Sequence, residues 1–182
     1  MVETYKLKFT LLQQKILRLL FIKTGISLNA LSIARKLNVS QTAIAKSLPF
    51  LEENGFIQLK KEKESKRWSI KLNMENHKVI QLKRVDNLKL VYESGLADFL
   101  EKEFAGATIS LFGSYSMGED NFKSDIDFVV VGRKDKIINL EKFEKIFEKE
   151  ININIYNSFK DIHKNLKNSI LNGIVICGEV EL

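Results

Sequence analysis

Asp125 and Asp127 flank Ile126 in the segment Ser124-Asp125-Ile126-Asp127, which runs into the apolar stretch Phe128 to Val131. Alternate residues of a strand share a face, so the spacing predicts two carboxylates on one side, with Ile126 and Phe128 turned into a core. Carboxylates held that close repel each other unless a cation sits between them. Hard oxygen donors suit Mg²⁺, which commonly keeps phosphate as a further partner. A second motif stands upstream, where Ala107 to Phe112 reads as a short strand ending in Gly113-Ser114-Tyr115-Ser116-Met117-Gly118. Gly113 lets the backbone approach a phosphate, and Ser114 adds a hydroxyl and an N–H at the start of a helix. The chemistry expected of this pairing is Mg²⁺-dependent binding of a nucleoside triphosphate (NTP). The plainer reading of the same residues is an acidic turn between two strands.

Gly113, Ser114, Gly118, Ser124, Asp125 and Asp127 match position by position the signature of the nucleotidyltransferase superfamily that includes DNA polymerase beta. Within it, the chain from about Leu96 onward resembles the minimal nucleotidyltransferases. The resemblance implies an α/β domain with a small mixed sheet, with Asp125 and Asp127 as metal ligands and catalytic residues. It also implies that Gly113, Ser114 and Ser124 bind nucleotide, with Mg²⁺ as cofactor and NTP as substrate or ligand. The implied reaction passes a nucleotidyl group to an acceptor hydroxyl on protein, nucleic acid or a small molecule. Small members include antitoxins that nucleotidylate a partner toxin, so a protein acceptor follows from the resemblance as well.

Two departures stand out. Met117 occupies a place where many members carry a basic residue, which leaves Lys123 and Arg133 as candidate replacements. Active members also draw a third carboxylate from a later strand, to help activate the attacking hydroxyl. Here that strand is Ile151 to Tyr156, after an amphipathic helix of about Leu140 to Glu148, and its alternation puts Asn152, Asn154 and Tyr156 on one face. Asn152 and Asn154 therefore mark the third-ligand position, unless that face is an ordinary solvent-facing edge. An amide oxygen ligates a metal weakly and accepts no proton at neutral pH. Glu150 and Asp161 lie nearby but off the expected parity.

The N-terminal part has a different character. Residues 1–73 hold 14 Lys/Arg against 5 Asp/Glu, a net of +9, and residues 74–182 hold 15 against 18, a net of −3. Such segregation points the first part at a polyanion. Thr10 is placed to cap a helix to about Lys23, with Leu12, Ile16, Leu19 and Leu20 at helical spacing. A second helix runs from about Asn29 to Leu37 with Leu31, Ala34 and Leu37 apolar, and Ser40 can cap a third after the Asn38-Val39 turn. On the third, Ile44, Leu48 and Leu51 form a buried stripe that leaves Gln41, Thr42, Lys46 and Pro49 outward. Pro49 predicts a bend near Ser47 or a restart of the helix. Ile57 and Leu59, then Trp68, Ile70 and Leu72, alternate with polar residues about a charged hairpin tip.

Three helices followed by such a hairpin resemble the winged helix-turn-helix family, over about the first 73 residues. The resemblance implies double-stranded DNA as partner and a role in transcription regulation, with a homodimer as the usual state. Base contacts then fall to Gln41, Thr42 and Lys46, and phosphate contacts to Lys60, Lys61, Lys63, Lys66 and Arg67 on the wing. A three-helix dimerisation or protein-docking module is the competing reading.

Between the halves, Val79, Leu82, Val85, Leu88, Val91 and Tyr92 recur at helical spacing, followed by Leu96, Phe99 and Leu100. Two helices broken near Ser94-Gly95 are expected. His77 and His163 read as surface residues, and Ile170, Leu171 and Ile174 to Ile176 as core, with the lone Cys177 as inert packing. One cysteine and no apolar run near the roughly 18 residues of a membrane span point to a reducing, cytoplasmic setting without membrane association. The expected fold class is α+β: a winged helix-turn-helix of three helices plus a β-hairpin wing (1–73), a helical linker (74–104), and a nucleotidyltransferase-fold α/β domain with a small mixed sheet (105–182). Two functions follow, a DNA-binding nucleotidyltransferase and a transcriptional regulator whose inactive transferase domain senses nucleotide or serves dimerisation.

Overall fold

The computed structural model describes residues 9–61 and 68–180, and the chain divides into two compact units, Met1–Val79 and Ile80–Leu182. In the first, helix α1 (Leu11–Ile22) starts at a capping box in which Thr10 and Gln13 satisfy each other's backbone N–H groups. Asn29 and Ser32 do the same for α2 (Ala30–Leu37). Asn38 closes that helix in the left-handed region, at φ 53°, an unusual conformation that Asn tolerates better than most residues. Ser40 then caps α3 (Gln41–Glu53), making helix, tight turn, helix.

Two details of the buried faces differ from expectation. Leu17 and Phe21 join Ile16 and Leu20 inside α1, and Ile33 rather than the 40 % exposed Leu31 fills the α2 stripe. Of the two outcomes weighed for Pro49, a restart of the helix does not occur, and α3 continues to Glu53. Ile44, Ser47, Leu48 and Leu51 anchor both halves of the helix, while Pro49 lies on the exposed side, where helical hydrogen bonds lengthen most readily.

Strands β1 (Ile57–Lys61) and β2 (Trp68–Leu72) pair antiparallel, with Ile57 opposite Leu72 and Lys61 opposite Trp68. Leu28 adds a bridge to Ile70, closing the hairpin onto the helices through bonds of 2.9 and 2.7 Å. Ile57, Ile70 and Leu72 are buried, whereas Trp68, at the distal end of the ribbon, is half exposed. The hairpin tip, with Lys63, Lys66 and Arg67, lies outside the described residues. Three helices and a β-hairpin wing make this unit a winged helix-turn-helix.

Helix α4 (His77–Glu93) starts in the last residues of the first unit and continues into the second, and it and α5 (Leu96–Glu103) break at Ser94-Gly95, with Gly95 at φ 75°. Then follow β3 (Thr108–Phe112), the short α6 (Gly113–Met117), β4 (Ile126–Val131), α7 (Glu141–Phe147), β5 (Ile151–Tyr156), a 3₁₀ turn at Phe159–Asp161, α8 (Lys164–Leu171) and β6 (Ile174–Cys177). The sheet order is β5-β4-β3-β6, with β4 and β5 parallel and the other pairs antiparallel, a small mixed sheet.

One face of the sheet packs Ile109, Leu111, Ile126, Phe128 and Val130 against Val91, Leu96, Leu100, Phe143 and Phe147. The other face packs Phe112, Val129 and Val131 against Phe159, Ile162 and Ile170. Asp127 has the parity of the second face, at the start of β4. Leu171 at the end of α8 and Val175 on β6, both expected inside, are 47 % and 45 % exposed, Val175 because β6 is an edge strand.

The inward face of α4 also differs. Val85 and Tyr92 are exposed, and the buried positions Val79, Lys83, Asn87 and Val91 recur every fourth residue instead. Among the described residues no helix is long and apolar enough to cross a membrane.

Candidate metal and nucleotide site

Asp127 sits on β4 opposite Phe112 of β3 and Asn152 of β5. Phe112 hands the chain to Gly113, whose φ of +74° is costly for any residue with a Cβ. A Cβ at Gly113 would also lie only 2.9 Å from Oδ2 of Asp127. The glycine thus makes room for the carboxylate. Ser114 follows in the single turn of α6, and the Ser116 hydroxyl donates to the Gly113 carbonyl at 2.8 Å, closing that turn.

Asp125 lies one residue before β4 and is exposed, while Asp127 is half-buried. Asn152 joins them, its Nδ2 donating to Oδ2 of Asp125 at 3.4 Å and to Oδ1 of Asp127 at 3.3 Å. With carboxylates as both neighbours, the amide can make two favourable contacts only by turning its NH₂ towards them. Asn152 therefore occupies the place at which a third carboxylate was sought. Asn154, two residues along, pairs in register with Val129 and makes no hydrogen bond to either aspartate.

The remaining candidates lie elsewhere. Asp161 accepts from the Ser158 N–H as a turn cap, and Glu150 offers its backbone carbonyl to Ile126. Arg133 lies beyond the other end of β4 and donates to the carbonyls of Ala105 and Gly132, so it does not replace the basic residue absent at Met117. Lys123 is on the loop before Asp125, with its Nζ 5.6 Å from the Phe122 ring centre. Ser124 Oγ accepts from the Asn121 N–H at 3.0 Å, which makes this serine a closing residue of the turn that delivers Asp125. His163 caps α8, and burial pushes the Cys177 thiol pKa up, which favours the unreactive thiol.

The donor set suits one hard divalent cation, with two carboxylates and an amide that can present its oxygen. It lacks the third anionic oxygen of a two-metal centre. Among the described residues no group of three or more His, Cys, Asp or Glu converges.

Sequence reasoning missed a buried polar cluster beneath this loop. Asp120, 1 % exposed, forms an ion pair through Oδ1 with Lys83 of α4, and its Oδ2 lies 3.2 Å from Nζ of Lys149. Asn87 donates to the same Oδ1 at 2.8 Å and to the Tyr115 carbonyl at 2.9 Å. Burial lowers the Lys83 pKa, with Asp120 acting against that and Lys149 reinforcing it. The signal available beforehand was the four-residue recurrence Val79-Lys83-Asn87-Val91, which places two polar residues on an apolar stripe.

In the first unit, Gln41, Thr42 and Lys46 are all exposed along α3. Lys60 and Lys61 are exposed on β1, and as successive strand residues they point to opposite faces of the ribbon.

Residues 93–177 match the family model described as "Nucleotidyltransferase domain". No curated protein gives a significant match to the chain. Solved structures with partial similarity include the adhesin competence repressor AdcR from Streptococcus pyogenes, 20 % identical, covering 54 % of this chain and 69 % of that one at a TM-score of 0.41. ZitR from Lactococcus lactis is 23 % identical, covering 57 % and 67 % at 0.40. MepR of S. aureus, in a complex with DNA, is 19 % identical, covering 52 % and 77 % at 0.39. The segment that holds the Gly113-Ser114 turn, both aspartates and Asn152 thus lies within the part that matches a nucleotidyltransferase domain, on the same chain as a unit of three helices and a β-hairpin.

Proposed function

We propose that this protein is a DNA-binding regulator whose nucleotidyltransferase domain binds a metal–NTP complex as a signal and does not carry nucleotidyl transfer through efficiently. The observation that carries this reading is Asn152, in register with Asp127 and hydrogen-bonded to both aspartates. Asp125 and Asp127 would hold Mg²⁺, and the backbone of Gly113 and Ser114 would receive the phosphates. When bound, the metal would neutralise charge on the carboxylates and the triphosphate together. Asn152 steadies both carboxylates, but its amide takes no proton from an acceptor hydroxyl.

On the DNA side, the reading rests on the net +9 of residues 1–73 and on the exposed row Gln41, Thr42 and Lys46 along α3. These three would read base edges, and Lys60 and Lys61 would contact phosphates, with the hairpin tip adding to them.

The test is incubation of the purified chain with Mg²⁺ and each α-labelled NTP, in the presence of duplex DNA, tRNA and cell extract as acceptors. The expected outcome is nucleotide binding without label transfer by the natural chain, and transfer that appears in Asn152→Asp. Label transfer by the natural chain that disappears in an Asp125→Ala/Asp127→Ala variant would establish a working transferase instead.

A further inference from the structure

The loop 118–125 that delivers Asp125 is held from below along its whole length. Gly118 approaches α4 so closely that a Cβ would lie 2.5 Å from the Ile80 carbonyl and 2.7 Å from the Arg84 nitrogen. Asp120 is clamped by Lys83 and Asn87 from the same helix. The turn that follows is closed by bonds from Ser124 N–H to the Asn121 carbonyl and from Asn121 N–H to Ser124 Oγ, each 3.0 Å.

Lys149, only 3 % exposed on its side chain, then donates to the carbonyls of both Asn121 and Ser124, the second at 3.0 Å, with Asp120 beside it. It stands three residues before Asn152, so one ammonium ties the loop bearing Asp125 to the strand bearing Asn152. Two lysines against one aspartate in a nearly dry site are an expensive way to fill space, since apolar packing there is commonly as stable or more so. What they add is direction: the donors fix where backbone carbonyls sit.

We infer that Lys149 is a positioning residue for the nucleotide site, fixing the Asn121–Ser124 turn and thereby the placement of Asp125 relative to Asp127 and Asn152. The inference rests on the reading of Asp125 and Asp127 as the metal–nucleotide site. The roles within the cluster are distinct. Lys149 acts on the loop backbone, Asp120 compensates its charge, and Lys83 with Asn87 holds Asp120.

The experiment is calorimetric titration of the full chain with ATP, GTP, CTP and UTP, each with Mg²⁺ and with EDTA, for the natural protein, Lys149→Met and Lys149→Arg. For the NTP that binds, Lys149→Met is expected to raise the Mg²⁺-dependent Kd at least about tenfold, because small misplacements of a preorganised ligand set are costly. The EDTA-state affinity should stay the same. Lys149→Arg keeps the charge beside Asp120 and should recover part of the loss.

A merely structural role would lower the binding-competent fraction and the melting temperature while leaving the Kd of the folded protein unchanged. That result overturns the inference. If Lys149→Met does not melt cooperatively, Lys149→Arg decides alone. A Kd raised about threefold or more supports positioning, and one within twofold of the natural protein overturns it. Absence of Mg²⁺-dependent binding in the natural chain would overturn the nucleotide-site reading itself, an outcome distinct from binding that ignores Lys149.

Discussion

Asp120 carries a charge that two lysines share, and the consequences of removing each partner differ in a way that can be measured. Asp120→Asn leaves Lys83 and Lys149 buried without the carboxylate they share and should cost about 3–5 kcal/mol in urea unfolding. Lys83→Met leaves one lysine with one aspartate and should cost clearly less; the reverse order would contradict this account of the cluster. The pH dependence follows from the same residue. Burial holds the Lys83 pKa below the ordinary 10.5, so between the folded and unfolded values the unfolded chain binds more protons. Its contribution to stability therefore rises with pH across that window and is smallest below it, and Lys83→Met should flatten the slope there. Asp127→Asn should abolish Mg²⁺-dependent NTP binding, and unchanged binding would remove the metal assignment. The aspartates themselves were legible in the sequence because their spacing is a strand period. Lys83 and Asn87 were not, since lysine and asparagine on a helix are usually solvated and only a distant loop, some 30 residues away, makes burial affordable for them.

Elements differ in how much room they leave, and glycines report it. Gly95 and Gly118 have the same φ of 75°, but a Cβ at Gly95 meets nothing within 4 Å, whereas at Gly118 it strikes the backbone of α4. Gly95→Ala should cost about 1–2 kcal/mol for the left-handed backbone alone. Gly118→Ala should cost distinctly more, because Ile80 and Arg84 present main-chain atoms that cannot rotate away; equal losses in thermal unfolding would refute the close packing of loop on helix. Capping residues made two helix starts readable in advance, at Thr10 and Ser40, because a cap is a local hydrogen bond. Pro49 does not end α3, whose extent is decided by Ile44, Leu48 and Leu51 in the core rather than by local propensity. The exposure of Val175 was hidden for a similar reason, since strand order, which leaves β6 at an edge, is a tertiary fact.

At the scale of the molecule, a strongly basic winged unit and a weakly acidic transferase-type unit share one chain, and each has its own test. DNA affinity should fall steeply as salt rises, because lysine–phosphate contacts release counterions. Lys60→Ala/Lys61→Ala should reduce that slope without changing sequence preference, while Gln41→Ala and Lys46→Ala should relax the preference itself. A slope unchanged by the hairpin substitutions would move the DNA contact elsewhere. Whether Asn152 leaves a site able to bind a metal–nucleotide complex but not to complete transfer can be decided in a single experiment. The natural chain, Asn152→Asp and Asp125→Ala/Asp127→Ala are each mixed with Mg²⁺ and α-labelled NTP, and bound and covalently transferred label are followed together. We expect binding without transfer in the first, binding with transfer in the second and neither in the third. Transfer by the natural chain that depends on its two aspartates would contradict that expectation.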